Sequence, residues 1–164
     1  GVSGTSVKGF FLLNEGNMGS NKATLDYFDY ETGIYHKNIY AERNPGVVQE
    51  LGDVGNDIQI YGNKLYAIIN CSHFVEVMNV ETAKHITQIS IPNCRYIVFK
   101  DKYAYVSSYA GPVKIDPNAR LGYVARVDTT TDCQGYLCGR LPAGRNGDCG
   151  QQTLCSQLRR VSRT

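Results

Sequence analysis

The 164-residue chain has no tryptophan, two methionines and five prolines. No apolar run reaches the roughly 18 residues that a membrane-crossing helix needs. Charge of one sign is also missing: seventeen Lys and Arg stand against fifteen Asp and Glu, and the small positive excess sits after residue 131. The body before that point is close to neutral, so a nucleic-acid polyanion is not an implied partner. Cysteine is scarce there too, with only Cys71 and Cys94, too few to announce a disulfide framework. Both are read as free thiols. The numbering does not open on methionine, and the expectation is that a signal or anchor segment precedes it. What the chain does have is twelve Tyr and five Phe among many Val and Ile, a composition that suits pleated, half-buried strands.

Those strands repeat. Thr24-Leu25-Asp26-Tyr27-Phe28-Asp29, Phe74-Val75-Glu76-Val77-Met78-Asn79 and Tyr123-Val124-Ala125-Arg126-Val127-Asp128 are each followed by a short polar turn ending in Thr32, Thr82 and Thr131. The closing residues Asp29, Asn79 and Asp128 are separated by 50 and 49 positions. A second repeated pair runs in step: Ile58 to Tyr61, turn, Leu65 to Ile69 resembles Ile97 to Lys100, turn, Tyr103 to Ser107. Gly62-Asn63 and Asp101-Lys102 supply the positive-φ residues that tight hairpins need. Phe10 to Asn14 is the matching second strand of a first unit whose own first strand is missing or cut off, and Ile34 to Tyr40 and Ile86 to Ile91 fill the fourth slot.

Four short antiparallel strands per roughly 40–50 residues is the spacing of a propeller blade. The expected fold class is all-β, an incomplete β-propeller of about two to three four-stranded antiparallel blades, with no helix of consequence. Its expected organisation is a leader or linker at 1–8, the partial propeller at 9–131 and an irregular, non-propeller tail at 132–164. A sandwich of eight to ten strands is the alternative, but it does not predict a 50-residue register.

The tail holds the other four cysteines, Cys133, Cys138, Cys149 and Cys155. Their spacing lacks the paired Cys-x-x-Cys or Cys/His pattern of a zinc site, and a two-disulfide knot leaves three connectivities open. A third reading comes from codon phase. Synonymous codons permitted by Gly147 to Ser156, read one nucleotide out of frame, spell Ala-Ile-Val-Gly-Asn-Lys-Leu-Tyr-Val. The run Gly-Asn-Lys-Leu-Tyr repeats Gly62 to Tyr66 where the blade period calls for it. The hypothesis is a frameshift near Thr131 that leaves a disordered tail whose thiols have no selected partner; resequencing that yields the in-frame tail would sink it.

Gly62-Asn63-Lys64-Leu65-Tyr66 and Val75-Glu76-Val77-Met78-Asn79-Val80-Glu81-Thr82 resemble the repeats of surface-layer, YVTN or YncE-like propellers over about residues 9–131. The stretch from Phe11 to Gly33 more narrowly resembles bacterial cell-surface lipoproteins of that class, some of which are similar to propellers that capture corrinoids for an outer-membrane vitamin B12 transporter. The resemblance implies a truncated, surface-anchored, ligand-binding module. It implies a corrinoid (cobalamin-type) ligand with no resident cofactor, and a transporter as partner. Unpaired strand edges add an expectation of self-association.

No nucleophile with its base or metal cluster is evident, so the chain is not read as an enzyme. A lactonase-like, metal-dependent hydrolase using Glu15, Asn56 and Asp57 is the alternative, and an interaction scaffold is a third. His36 and His85 are read as solvated residues of outer strands. Blade geometry sends the loops between second and third strands, and between fourth and next first strands, to one face. Long loops on rigid scaffolds carry binding residues. The candidate ligand-binding set on that face is Asn14, Glu15, Asn17, Asn56, Asp57, Asn70, His73, Arg95 and Tyr109. The competing reading is that such residues only satisfy backbone at blade junctions.

Overall fold

The computed structural model describes residues 6–47, 50–110, 118 and 122–137. Strands β1 (Gly9–Asn14), β2 (Thr24–Asp29) and β3 (Tyr35–His36) form a three-stranded sheet, followed by the five-residue helix α1 (Ile39–Arg43). The second sheet is four-stranded, β4 (Gly55–Tyr61), β5 (Lys64–Ile69), β6 (Phe74–Asn79) and β7 (His85–Ser90). The third is β8 (Cys94–Lys100), β9 (Tyr103–Ser108), β10 (Tyr123–Asp128) and β11 (Gln134–Leu137). Every pair of sequence neighbours within a sheet is antiparallel, the up-and-down order of propeller blades.

The repeat seen in the sequence is a repeat in register. Gly9 faces Asp29, Lys64 faces Asn79 and Tyr103 faces Asp128. The closing residue acts identically each time. Asp29 Oδ1 accepts the amides of Glu31 and Thr32, Asn79 Oδ1 those of Glu81 and Thr82, and Asp128 Oδ1 those of Thr130 and Thr131. The Thr hydroxyls then accept the amides of Ile34, Lys84 and Cys133. This is the side-chain mimicry of a turn that Asp, Asn and Thr are suited to. The Asn79→Ala substitution is expected to cost about 1 kcal/mol in urea-unfolding experiments, since the turn keeps its backbone bonds and loses only the cap.

The inner strands of the middle sheet, β5 and β6, are buried on both faces. Leu65, Ala67, Ile69 and Met78 join Leu25, Ile39, Tyr40 and Leu51 in one core. Tyr66, Ile68, Val75 and Val77 join Ile97, Ala104, Val106, Ala125 and Val127 in the other. Alternate residues of β5 and β6 therefore serve different cores. Strands β9 and β10 fully bury only every second residue, the alternate ones being half-buried.

Two expectations need correcting. The fourth strand of the first unit, expected over Ile34 to Tyr40, shrinks to β3 and gives way to α1. The cause is Asn38, which sits at φ 50°, caps the helix through Ala41 N–H, and donates its own amide to Asp26 Oδ1 at 2.7 Å. Strand pairing cannot continue through that bond. Secondly, the third sheet does acquire a fourth strand, β11, beyond the boundary drawn at residue 131. The turn after Asp128 closes like its two counterparts, with Asp128 N–H donating to Cys133 O at 2.9 Å, and backbone pairing asks nothing of side-chain periodicity. Cys133 is disulfide-bonded, a question the spacing of the tail cysteines leaves open; its partner, like the rest of the tail from residue 138, lies outside the described residues. Cys71 and Cys94 are free thiols.

Candidate functional site

The loop face is assembled by bonds between the sheets. Gly55 N–H donates to Glu15 O at 3.0 Å, joining the first sheet to the second. Asp53 is the hub of that junction. Its carboxylate accepts the amides of Gly19 and Asn21 at 2.8 and 3.2 Å, its amide donates to Ser72 Oγ, and its carbonyl accepts Cys71 N–H. Gly52 beside it adopts φ 135°, and a Cβ there would lie 2.7 Å from Ile69 Cγ2, so only glycine fits. Asp53 and Ser72 stand outside the candidate ligand set, and Asp53 plays the part the competing reading gives the run Gly52 to Asp57, satisfying backbone at a blade junction. The Gly52-to-Gly55 run was their one signal.

The second and third sheets are joined in the same manner. Asn70, buried, donates from Nδ2 to Asn93 Oδ1 at 2.6 Å and to Cys94 O at 2.7 Å. Asp57 Oδ2 accepts Ile97 N–H at 2.9 Å, and Asn56 Nδ2 donates to Arg95 O. His73, at φ 62°, accepts Asn93 N–H on Nδ1 at 2.8 Å. Tyr109 N–H donates to Asn93 O. Loops expected to converge do converge, apart from the stretch after Ala110, most of which lies outside the described residues.

The candidate residues thus divide. Asn14 Nδ2 donates to Thr24 Oγ1 and to Asp26 Oδ2, and with Asn56, Asp57 and Asn70 it is spent holding strands and sheets together. Glu15, Asn17, His73 and Tyr109 are exposed. Arg95 spans the two groups: its carbonyl is a sheet tie, while its guanidinium carbon lies 5.4 Å from the Tyr109 ring centroid and 5.9 Å from that of Tyr96, with Nε buried and without a hydrogen bond. Cys71 lies close enough that Arg95 works to lower its thiol pKa, but burial, aided by the Asp53 carboxylate, wins and pushes it up. Burial drives Cys94 up to about 12. Neither thiol is activated. Among the described residues no three His, Cys, Asp or Glu side chains meet as a metal-binding group.

His85 is not the solvated histidine expected. Its Nδ1 lies 2.5 Å from Oε1 of Glu76, a fully buried carboxylate that also accepts from Tyr40 OH at 3.2 Å. One blade earlier, Tyr35 OH donates to Asp26 Oδ2 at 2.7 Å. Burial works to raise the Asp26 carboxyl, but the bonds from Asn38 N–H, Tyr35 and Asn14 outweigh it and hold it below its usual value. The third blade puts Ala125 and Gln134 at these two positions, and Gln134 Nε2 is left without a partner.

Repeated up-and-down sheets with long loops gathered at one end and tight turns at the other define a partial β-propeller. Residues 8–134 match the family described as Domain of unknown function (DUF5074), and the chain belongs to that family. Among solved structures, the chain is similar to hydrazine synthase from Kuenenia stuttgartiensis, with a TM-score of 0.55 and 15% identity over 79% of this chain. It spans 39% of that protein's chain, and at this identity the likeness is one of fold alone. No curated protein matches the sequence.

Proposed function

We propose that the chain is part of a non-enzymatic, ligand-binding propeller, and that its ligand sits on the loop face against Arg95. The observation that carries this reading is the Arg95 guanidinium, flanked by Tyr96 and Tyr109 and with Nε unpaired by the protein. A cation stacked with two phenol rings suits a ligand that combines a flat conjugated surface with an anionic group. Cobalamin has both, with its corrin macrocycle and the phosphodiester of its nucleotide loop, and a corrinoid is the ligand implied by the resemblance to surface lipoprotein propellers of the YncE-like class. On that reading the protein is held at the bacterial cell surface and passes its ligand to an outer-membrane transporter. Open strand edges would add self-association. The hydrolase reading is less well supported, because Asn56 and Asp57 already bind the backbone of the neighbouring sheet.

Titration with cyanocobalamin tests the proposal, with saturable binding expected at micromolar ligand, and cobinamide, which lacks the phosphate, is expected to bind more weakly. The Arg95→Ala variant is expected to bind about tenfold or more weakly without unfolding, since the tie from Asn56 goes to the Arg95 carbonyl. Absence of binding to the wild-type chain at micromolar corrinoid would exclude that ligand.

A further inference from the structure

Equivalent points of the two sheet junctions are filled differently at the tight-turn end of the blades. Between the second and third sheets, Lys64 Nζ donates to Thr129 O at 2.8 Å and pairs with Asp132 at 2.9 Å, both side chains largely buried. Tyr61 stacks on Phe99 at 4.5 Å and Tyr66 packs on the same ring at 4.9 Å. This junction is plugged. The blade register places Gly9 where Lys64 stands, Ala83 where Asp132 stands, Phe11 for Tyr66 and Ile60 for Phe99. At the junction of the first and second sheets the plug is therefore absent. A groove of about 530 Å³ occupies its place, lined by Gly9, Phe11, Ile60, Val80 and Ala83 among others.

Gly9 cannot be exchanged for a larger residue, because a Cβ would lie 2.1 Å from Phe28 O and 2.5 Å from Tyr27 OH. The groove is thus built into the backbone packing of the first sheet. Its volume lies within the roughly 300–1,000 Å³ range of small-molecule sites. Its floor includes the Phe11 and Tyr27 rings, 4.8 Å apart, and Ile39 from α1. Lys8, Arg43 and His36 supply cationic and imidazole groups around it. Two carboxylates also line it. Asp29 holds the amides of its own turn, and Glu81 is exposed.

We infer that this groove is a second binding site, separate from the loop face, for a small carboxylate with an aromatic or apolar body. The body lies on Phe11, Tyr27 and Ile39, and the carboxylate meets Lys8 and Arg43. The inference does not depend on what the loop face binds.

The probe is 3-phenylpropionate, added to the 15N-labelled full chain and followed by amide chemical shifts. Saturable shifts are expected at Gly9, Phe11, Thr82 and Ala83, with a Kd on the order of 1 mM or below. Phenethylamine, the cationic counterpart, is expected to leave those amides unmoved. Ile60→Trp, which places a larger ring on an exposed lip residue, and Lys8→Glu are each expected to weaken phenylpropionate binding about fivefold or more. Ile60 and Lys8 are both exposed, so the two variants can be checked for an unchanged spectrum elsewhere, and either suffices if the other misfolds. Shifts confined to other faces, equal binding of the amine, or full affinity in a folded variant would overturn the assignment.

Discussion

The His85→Ala variant is expected to lose about 3 kcal/mol of unfolding free energy, a large share of the roughly 5–15 kcal/mol typical of a whole domain. Glu76 has no exposed surface. Its Oε1 is held by His85 and Tyr40, while Oε2 has no hydrogen-bond partner. Removing the imidazole leaves a carboxylate among Leu65, Ala67 and Met78 with one phenol to satisfy it, and desolvation of an unpaired charge then dominates. The sequence of costs can be separated. Replacing Glu76 with Met in the His85→Ala background is expected to recover most of the loss, because an apolar side chain of similar volume has nothing to leave unpaired. Urea unfolding of the single and double variants measures both steps. If the single variant loses under about 1 kcal/mol, the Glu76–His85 pair does not stabilise the second sheet.

The second large effect is expected at Ile68. It lies in the middle sheet, fully buried between β5 and the third sheet, and truncation to alanine there removes packing that no neighbour can replace. Ile68→Ala is expected to cost about 3 kcal/mol, the mid-range for an aliphatic side chain cut back in a rigid core. Ile60→Ala provides the comparison. Ile60 is 55% exposed, and its truncation is expected to change stability by less than about 0.5 kcal/mol. The two residues belong to adjacent strands of one hairpin and carry the same side chain, so a similar loss at both would mean that the sheets are not stacked as described. Chemical denaturation monitored by circular dichroism distinguishes the outcomes.

The hairpins and the 50-residue period were legible because strand alternation and turn chemistry act over a few residues. Asp29, Asn79 and Asp128 cap their turns by accepting amides two and three positions on, and such bonds leave a signature in the local sequence. The convergence of Asn14, Asn56, Asn70 and Arg95 on one face followed from the blade order. Their chemical state did not follow. Whether an Asn is a free ligand group or a tie to a neighbouring backbone depends on contacts made across 20 to 40 positions, as Asn70 to Cys94 and Asn56 to Arg95 show. The partners of the Asp53 hub were illegible for the same reason, since Gly19 and Asn21 come from the loop of another sheet.

By itself the sequence determined an all-β chain, the order of its strands, the position of each tight turn and the repeat that makes three sheets alike. Those properties arise from short-range sterics, from side-chain oxygens satisfying nearby amides and from alternating burial along a strand. Only the tertiary structure decided where the copies differ. It buried the inner strands of the second sheet on both faces, sealed Glu76 beneath His85, closed one junction with Lys64 and Asp132 from positions 68 residues apart, and left the equivalent junction hollow at Gly9 and Ala83. Packing between sheets compares residues that the chain keeps far apart, and neither partner records the other in its own neighbourhood.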